Sequence, residues 1–377
     1  MAVRIDRRAF NASLLALGLG AMLPGNTRAE STAGFLSTGY DKIRARHLIS
    51  RLGADLDIRW DLALPARGHD VAVRPAHDEG IVVARRPGRF AIVFDLERGE
   101  ERRRLTPATG RHFYGHAVYS PDGKTMWMTE NDFDAGRGVI GVYDVTAGYK
   151  RIGEFSSGGT GPHELLMKDD GRTLTVANGG IRTHPDSGRE KLNIGSMRPS
   201  LAYIDSTDGT LTGEVFFDTP RMQKLSIRHM ALLPGGRIAV GCQDQISDGA
   251  ILPLVHVHDG VDGTSFKALP VPGIMLDRFS GYCGSVVSAP ESNVLAVSSP
   301  RGGLVGFWSL SDQAWRGHVD FADGCGLALS RDGIMASSGS GRLEDLTPMK
   351  TGAAMLEAHA RRHTFRQWDN HMLALGA

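Results

Sequence analysis

One structural unit recurs along this sequence, and the recurrence decides the fold class. Each copy has an apolar β-type run, an Asp-Gly or Gly-Gly turn, a second apolar run, a polar loop and a third run. A fourth, more polar run follows, as in "KRIGEFSS". The clearest copies are "HAVYSPDGKTMWMTEND", "HELLMKDDGRTLTVANGG" and "HMALLPGGRIAVGCQDQ", which begin at His116, His163 and His229. Four strands per unit, with no long helical period between them, predict a β-propeller.

The first run of each unit gives the number of blades. Seven such runs occur, and the last, "HMLALGA", has no second run after it. The N-terminal part has a matching surplus of three runs, "GFLSTGYD", "RHLISRLG" and "DIRWDLAL". We therefore predict an all-β, seven-bladed propeller over residues 30–377. The C-terminal strand near His371 is expected to pair with the strand around Phe35 to Asp41 and so to close the ring.

Residues 1–29 have the features of a twin-arginine export signal. Arg7 and Arg8 precede a short apolar run, and "TRA" before Glu30 offers a cleavage site. The run is too short and too rich in glycine for a convincing membrane span. We expect a periplasmic protein, exported by the twin-arginine route, that is a monomer without a membrane span after cleavage. The net charge of +1 and the lack of a basic stripe argue against nucleic-acid binding.

Every innermost strand begins near a histidine or a cysteine. These residues are His69, His116, His163, His229, Cys283, Cys325 and His371. The chain runs up and down within a blade, so all seven starts lie on one face of the ring, around the channel mouth. Imidazole and thiolate are ligands of transition metals. We predict a metal site there, with iron or copper as the expected ion, and at least three of the seven side chains in one pocket.

Two other interpretations of these residues stay open. Histidines before propeller strands often brace a neighbouring loop through hydrogen bonds, as in WD-repeat proteins. Cys283 and Cys325 instead form a disulfide between adjacent blades if the periplasm oxidises them.

The second strand of each blade ends on the same face, so its polar residues are candidates for ligand binding. The sequence "TEND" offers Glu130 and Asp132 as oxygen donors, and a long basic excursion spans residues 176–201. Arg342 is a further candidate for an anion-attracting rim around the mouth. The predicted ligand-binding residues are Glu130, Asn131, Asp132, Asn178, Arg182, His184, Arg228 and Arg301.

Several segments together resemble domain-of-unknown-function family 1513. They include "TENDFDAGRGVIGVYD", "GPHELLM", "NGGIRTHP" and "SSPRGG", and the resemblance covers essentially the whole mature chain. The family resembles exported periplasmic propellers encoded beside imelysin-type iron-uptake proteins and di-haem oxidoreductase-like proteins. The resemblance implies a role in iron or other metal acquisition, with periplasmic iron-uptake proteins as possible partners. It implies no catalytic residues.

Two further hypotheses remain beside metal binding. The segment "GPHELLMKDDGRTLTVANGG" also resembles lactonase-type seven-bladed propellers, in which a histidine, an arginine and a carboxylate activate water. The catalytic residues of such a hydrolase would be His163, Glu164, Arg182 and His229. The other hypothesis is a scaffold for a partner protein, which needs no chemistry in the channel.

Overall fold

The computed structural model describes residues 33–86, 88–246, 248–331, 333–346 and 359–376. The predicted export signal lies outside these residues. The described residues form seven four-stranded antiparallel sheets arranged as the blades of a propeller, which confirms the predicted fold. Within them, no helix is long and apolar enough to cross a membrane.

The chain first forms three strands of the last blade and then six blades in sequence order. The first three strands are β1 (Gly34–Asp41), β2 (Arg46–Gly53) and β3 (Ile58–Ala63). Blade one contains β4 (Gly68–Val73), β5 (Glu79–Ala84), β6 (Ala91–Asp95) and β7 (Glu101–Leu105). Blade two contains β8 (Arg111–Tyr119), β9 (Thr125–Asp132), β10 (Arg137–Asp144) and β11 (Lys150–Ser156). Blade three contains β12 (Pro162–Met167), β13 (Thr173–Asn178), β14 (Ser200–Asp205) and β15 (Leu211–Phe216).

The second half of the ring follows the same order. Blade four contains β16 (Leu225–Leu233), β17 (Arg237–Asp244), β18 (Val255–His258) and β19 (Lys267–Ala268), and a short helix α1 (Gly273–Arg278) follows it. Blade five contains β20 (Ser285–Ala289), β21 (Val294–Ser299), β22 (Leu304–Ser309) and β23 (Trp315–Asp320). Blade six contains β24 (Gly324–Leu329), β25 (Ile334–Ser338), β26 (Arg342–Leu346) and β27 (Ala360–Arg362). The last strand is β28 (Arg366–Leu375).

The two ends of the chain close the ring in one blade, as predicted. The innermost strand β28 pairs with β1, so that Gly34 lies opposite Leu375 and Asp41 lies opposite Arg366. The guanidinium of Arg366 is buried and bonds the carboxylates of Asp41 and Asp61. The ring is therefore closed both by the pairing of β1 with β28 and by a buried ion pair between the two ends of the chain.

The hydrophobic core lies between blades. In β9, the side chains of Met126 and Met128 pack with Phe113 in the cluster shared with blade one. Trp127, between them in sequence, packs with Leu165 in the cluster shared with blade three. This alternation follows from the two-residue period of a strand and buries both faces of each sheet.

The histidines of the innermost strands lie at irregularities in strand pairing. Register shifts occur in the pairing of β4 (between Gly68 and Val71), β8 (between Phe113 and Ala117), β12 (between Pro162 and Glu164), β16 (between Ile227 and His229) and β28 (between Trp368 and Met372). A β-bulge re-aims side chains, so adjacent residues can both face the channel. Three of these strands begin earlier than predicted, which places His116, His229 and His371 inside their strands.

Gly115 shows how tightly the bulges pack. Its φ of +118° suits glycine, and a Cβ there would lie 2.4 Å from Cδ2 of His69. The bulge in β8 therefore needs glycine at this position, because any side chain would displace a neighbouring imidazole.

Candidate functional site: a histidine layer beneath a cationic mouth

Five imidazoles meet on the axis of the propeller, and we call them the histidine layer: His69, His116, His163, His229 and His371. Their ring centroids lie 4.6 Å apart for His69 and His371, 4.8 Å for His69 and His116, and 4.9 Å for His163 and His229. The first four residues are at most 6% exposed. The structure thus brings together all the histidines that the sequence analysis singled out at inner-strand starts.

Half of the ten ring nitrogens in the histidine layer are buried without a hydrogen-bond partner. Among the described residues, this holds for Nδ1 of His69, Nδ1 of His163, Nε2 of His371 and both ring nitrogens of His116. The backbone of His163 contacts the imidazole of His116 and raises its pKa, but this contact does not meet the geometry of a hydrogen bond. Buried polar atoms in folded proteins nearly always have a partner. The loop-bracing interpretation requires hydrogen bonds that these nitrogens do not make.

The environment keeps the five imidazoles neutral. Burial, followed by repulsion from His371 and His116, holds the pKa of His69 well below its ordinary value. Burial and the neighbouring Arg228 and Arg85 lower the pKa of His229 to about 3. The pKa of each of the other three is likewise lowered well below 6.5, mainly by burial. Neutral imidazole is the form that ligates metal ions.

Two carboxyl groups lie directly beside the layer. Oε2 of Glu164 lies 3.2 Å from Nδ1 of His229 and accepts a hydrogen bond of 3.1 Å from the backbone N–H of Met230. Oδ1 of Asp70 lies 3.9 Å from Nδ1 of His371. Burial raises the pKa of Glu164 to about 8, and burial together with Glu164 raises that of Asp70 well above its ordinary value. The carboxyl group of Glu164 is therefore largely protonated at neutral pH.

These donors are close enough for a metal ion. The potential ligand atoms of His116, His163, Glu164 and His229 lie within 4.8 Å of one another, and so do those of His69, His116 and His371. Tetrahedral ligands at the usual bond lengths are about 3.4 Å apart. A small inward movement would let either group hold an ion, and His116 belongs to both.

The carboxyl groups border a cavity of about 340 Å³ in the central channel. Asp70, Glu164 and three of the layer's histidines line it, and apolar side chains such as Val71 and Val286 form much of the remaining wall. A largely apolar wall lowers the local dielectric, which strengthens interactions with any bound ion.

Positively charged side chains surround the opening next to the layer, and we call them the mouth cations: Arg85, Arg86, Arg189, Lys191, Arg228 and Arg301. Burial and then Arg67 lower the pKa of Arg85 to about 10, and burial and then Arg86 lower that of Arg228 to about 10. The guanidinium of Arg86 lies 5.3 Å from the ring centroid of Tyr114, and that of Arg301 lies 5.1 Å from Tyr282. Arg342 is not part of this rim, because it pairs with Glu344.

The two cysteines do not belong to the histidine layer, which corrects the predicted ligand set. Cys283 precedes β20 and packs in the core shared with blade four, with its Sγ 3.9 Å from the carbonyl oxygen of Leu254. The thiol of Cys325 donates to the carbonyl oxygen of Asp323 at 3.1 Å. Both are free thiols, so the alternative disulfide is not formed, and burial raises both pKa values to about 12.

Glu130 and Asp132 are not ligands at the mouth either. Glu130 is fully buried in blade two, where it accepts hydrogen bonds from the hydroxyl of Tyr143 at 2.6 Å and from Arg151 at 2.9 Å. A Cβ on Gly141 would lie 2.0 Å from Oε1 of Glu130, so glycine makes room for the carboxylate. Asp132 pairs with Arg137 at 2.9 Å. Their predicted role as oxygen donors was wrong, because partners within the blade already saturate both groups.

The two asparagines have bracing roles. The side-chain amide of Asn131 donates to the carbonyl oxygen of Thr183 at 3.3 Å and so ties the long excursion to blade two. Asn178 accepts a hydrogen bond from the hydroxyl of Ser157 and donates one to the carbonyl oxygen of the same residue, both at 2.8 Å. The amide of Asn178 therefore has partners at both its oxygen and its nitrogen, whereas Asn131 also lines a small pocket with Arg86 and His184.

The excursion itself, residues 179–199, connects β13 to β14 on the mouth face, as predicted. His184 caps a short 3₁₀ turn by accepting a hydrogen bond of 3.2 Å from the backbone N–H of Asp186. Arg182 is exposed and packs beside Gly136 in blade two. Of the eight predicted ligand-binding residues, the structure places Arg228 and Arg301 among the mouth cations.

The sequence analysis missed Asp70 and the pair Arg85 and Arg86. A signal was present for each. "HD" and "HE" place an acidic residue directly after His69 and His163, and a bulge lets both neighbours face the channel. "ARRPG" follows β5, which ends beside the start of β4 because Ala84 pairs with Gly68.

Comparisons with known proteins place the chain in a family. The model of a family described as "Protein of unknown function (DUF1513)" matches residues 62–375. Hydrazine synthase of Kuenenia stuttgartiensis is similar in structure, with a TM-score of 0.59 and 15% identity over 84% of this chain and 96% of that chain. At that identity the similarity shows the fold alone. A comparison with curated proteins gave no match. The family match covers most of the propeller, and the chain therefore belongs to the DUF1513 family.

Proposed function

We propose that this propeller binds a transition-metal ion in the histidine layer and serves metal acquisition in the periplasm. The observation that carries the proposal is the set of buried ring nitrogens without hydrogen-bond partners. Each such atom loses its hydration on folding and gains nothing in return, at a cost of about 1–3 kcal/mol. A bound cation would convert these costs into coordinate bonds.

The chemistry of the donors suits iron or copper. Imidazole nitrogen is a ligand for both metals, and a carboxylate adds an oxygen donor that favours iron. His116, His163, His229 and Glu164 would hold the ion, with three nitrogens and one oxygen. His69 and His371 offer a second group of nitrogens through the shared His116. Metal binding would displace the proton of Glu164, because the ion needs the charged carboxylate.

The acquisition role rests on the family resemblance and on the expected export. A periplasmic metal-binding propeller would hand its ion to, or receive it from, iron-uptake proteins in the same compartment. A folded ring suits this task, because five strands from separate blades preorganise the ligands before the metal arrives.

A lactonase-like hydrolase is the second candidate, and one contact favours it. Glu164 has a pKa near neutrality and touches His229, a pairing that suits general-base catalysis. The predicted arginine does not support it, because Arg182 is exposed and contacts blade two. Arg228 would have to take its place beside His229.

Titration of chelator-treated protein with Fe²⁺ and Cu²⁺ tests the proposal. We expect one tightly bound equivalent in the wild type and none in the double variant His116→Ala/His163→Ala. His184→Ala is the matched control, because it removes an imidazole outside the layer and should retain the metal. Equal retention by both variants would contradict the proposal. Lactone turnover by metal-free protein, lost in Glu164→Gln, would favour the hydrolase instead.

A further inference from the structure

We propose that the mouth cations form a separate site for a small polycarboxylate, so that the propeller takes its metal as an anionic chelate. The polycarboxylate site needs only the mouth cations. Its link to the metal rests on the proposed function.

The mouth cations lack the partners that other cations of this protein have. Arg151, Arg366 and many others form ion pairs. No mouth cation forms one with any residue that the structure describes. Asp369 is the acid whose charge acts on Arg85 and Arg189, and Arg67 already holds it through two hydrogen bonds of 2.5 and 2.7 Å. The opening therefore carries a large excess of positive charge.

The charges also act on one another at short range. Burial, followed by repulsion from Arg228, Arg301 and Arg86, lowers the pKa of Lys191. The pKa of Arg189 is lowered by burial and then by Arg86 and Arg67. The buried Nε of Arg228 has no hydrogen-bond partner. Repulsion among cations, with a buried donor left unpaired, is a cost that a bound anion would remove.

The positions of these cations indicate the kind of anion. Arg85 and Arg86 follow β5, Arg228 lies in β16 and Arg301 follows β21, while Arg189 and Lys191 come from the excursion. Charges from four elements around one opening fit an anion with several separated negative groups. Guanidinium pairs with carboxylate through two parallel hydrogen bonds, which favours carboxylates over a single compact charge.

A polycarboxylate bound by the mouth cations would also reach the histidine layer. Arg228 and His229 are adjacent in β16, so a ligand held by the guanidinium is next to the imidazoles. A carboxylate oxygen not used by the arginines is then available to a metal ion in the histidine layer. The anion would bring the ion in and neutralise the opening at the same time.

Isothermal titration with citrate as the probe, first without metal, tests the site. We expect wild-type protein to bind citrate and Arg85→Gln/Arg228→Gln to bind it at least tenfold more weakly. Arg316→Gln is the matched control. Arg316 is an exposed residue of β23, outside the mouth, where it pairs with Asp312, so its replacement should leave the citrate affinity unchanged. Unchanged affinity in the double variant would overturn the proposal, and so would phosphate binding as tight as that of citrate.

Two further measurements keep the inference separate from the metal proposal. His116→Ala/His163→Ala should lose Cu²⁺ but still bind citrate. If the wild-type protein binds citrate but no metal ion, the metal site is refuted and the anion site is supported. Metal binding without any citrate binding would refute the anion site alone. If Arg85→Gln/Arg228→Gln fails to fold, the exposed pair Lys191→Gln/Arg301→Gln replaces it, with a smaller but measurable loss of citrate affinity expected.

Discussion

The buried network around Glu130 and the histidine layer are both polar groups inside the same fold, yet they differ in one respect. Glu130 bonds to Tyr143 and Arg151, and Glu154 bonds to Arg151 and Arg111, each at 2.6–2.9 Å. Every charge there meets an opposite charge or a hydroxyl. In the histidine layer, imidazoles face imidazoles and leave ring nitrogens unpaired.

Whether its polar atoms have partners distinguishes a cluster that stabilises the fold from one that could bind a ligand. A saturated network stabilises the blade and has no capacity left for a ligand. An unsaturated cluster costs free energy in the absence of a ligand, which is the physical reason for proposing that a ligand binds there. The sequence analysis assigned ligand binding to both regions, since it saw residue types but no partners.

The largest expected effect comes from removing residues 369–377, which tests whether the two regions depend on one ring. The deletion removes most of β28, which exposes the edge of β1 and removes the packing of β28 against β24 and β4 in the neighbouring blades. We expect loss of the cooperative thermal transition, measured by circular dichroism, and loss of the blade-two network along with the histidine layer. Melting behaviour equal to that of the full chain would show that the blades are independent.

The Glu130→Ala substitution should break the saturated network. Removing one partner of a buried ion pair typically costs about 3–5 kcal/mol. The loss here should lie toward the lower end, because Arg151 keeps Glu154 as a partner while the hydroxyl of Tyr143 loses its acceptor. Urea unfolding should show this loss, while the metal bound per chain should stay unchanged. Glu97→Ala, at an exposed position, is the control and should change neither. Loss of metal in Glu130→Ala at temperatures where it is folded would place a ligand in the wrong region.

The metal-free protein should lose stability as the pH falls below 6.5. The five histidines of the layer have lowered pKa values when folded, so below 6.5 the unfolded chain binds protons that the folded chain excludes. Each imidazole contributes up to about 1.4 kcal/mol per pH unit. Urea midpoints at pH 7 and pH 5 measure the slope. His116→Gln should flatten it, and an unaltered slope in this variant would contradict the assignment.

Glu164 should affect the pH dependence of metal binding, with the smallest effect. Its pKa of about 8 means that the ion must displace a proton below that pH. Affinity should therefore rise by up to about tenfold per pH unit between pH 6 and 8 and then level off. Glu164→Gln should bind more weakly, with little dependence on pH in this range. If the metal affinity instead changes with a midpoint near pH 6.5, an ordinary histidine is the titrating group and not Glu164.

The fold followed from the sequence because it depends on local signals that repeat. Turns such as "SPDGK", alternating apolar runs and the surplus strands at each end are all visible in one dimension. The convergence of the five histidines was also predictable, since topology places all inner-strand starts on one axis. Cys283 was mispredicted because it precedes its strand and joins the inter-blade core. Cys325 lies at a register shift of β24, but its thiol donates to the carbonyl oxygen of Asp323.

The chemistry of the remaining candidates depended on contacts that sequence spacing does not reveal. Glu130 became structural because Arg151, on β11, reaches across the blade to it, and Gly141 leaves room. Arg85 became part of the mouth because β5 ends beside the start of β4. Pairing of side chains across strands is a property of the tertiary packing and needs coordinates.

An anomalous difference map from crystals grown with one equivalent of Fe²⁺ or Cu²⁺ would locate the ion in the channel. We expect one strong peak on the channel axis, about 2.0–2.2 Å from nitrogens of at least three of His69, His116, His163, His229 and His371. A peak among the side chains around Glu130, or at the cysteines, would contradict it. So would metal-bound crystals in which the five imidazoles keep their unpaired nitrogens.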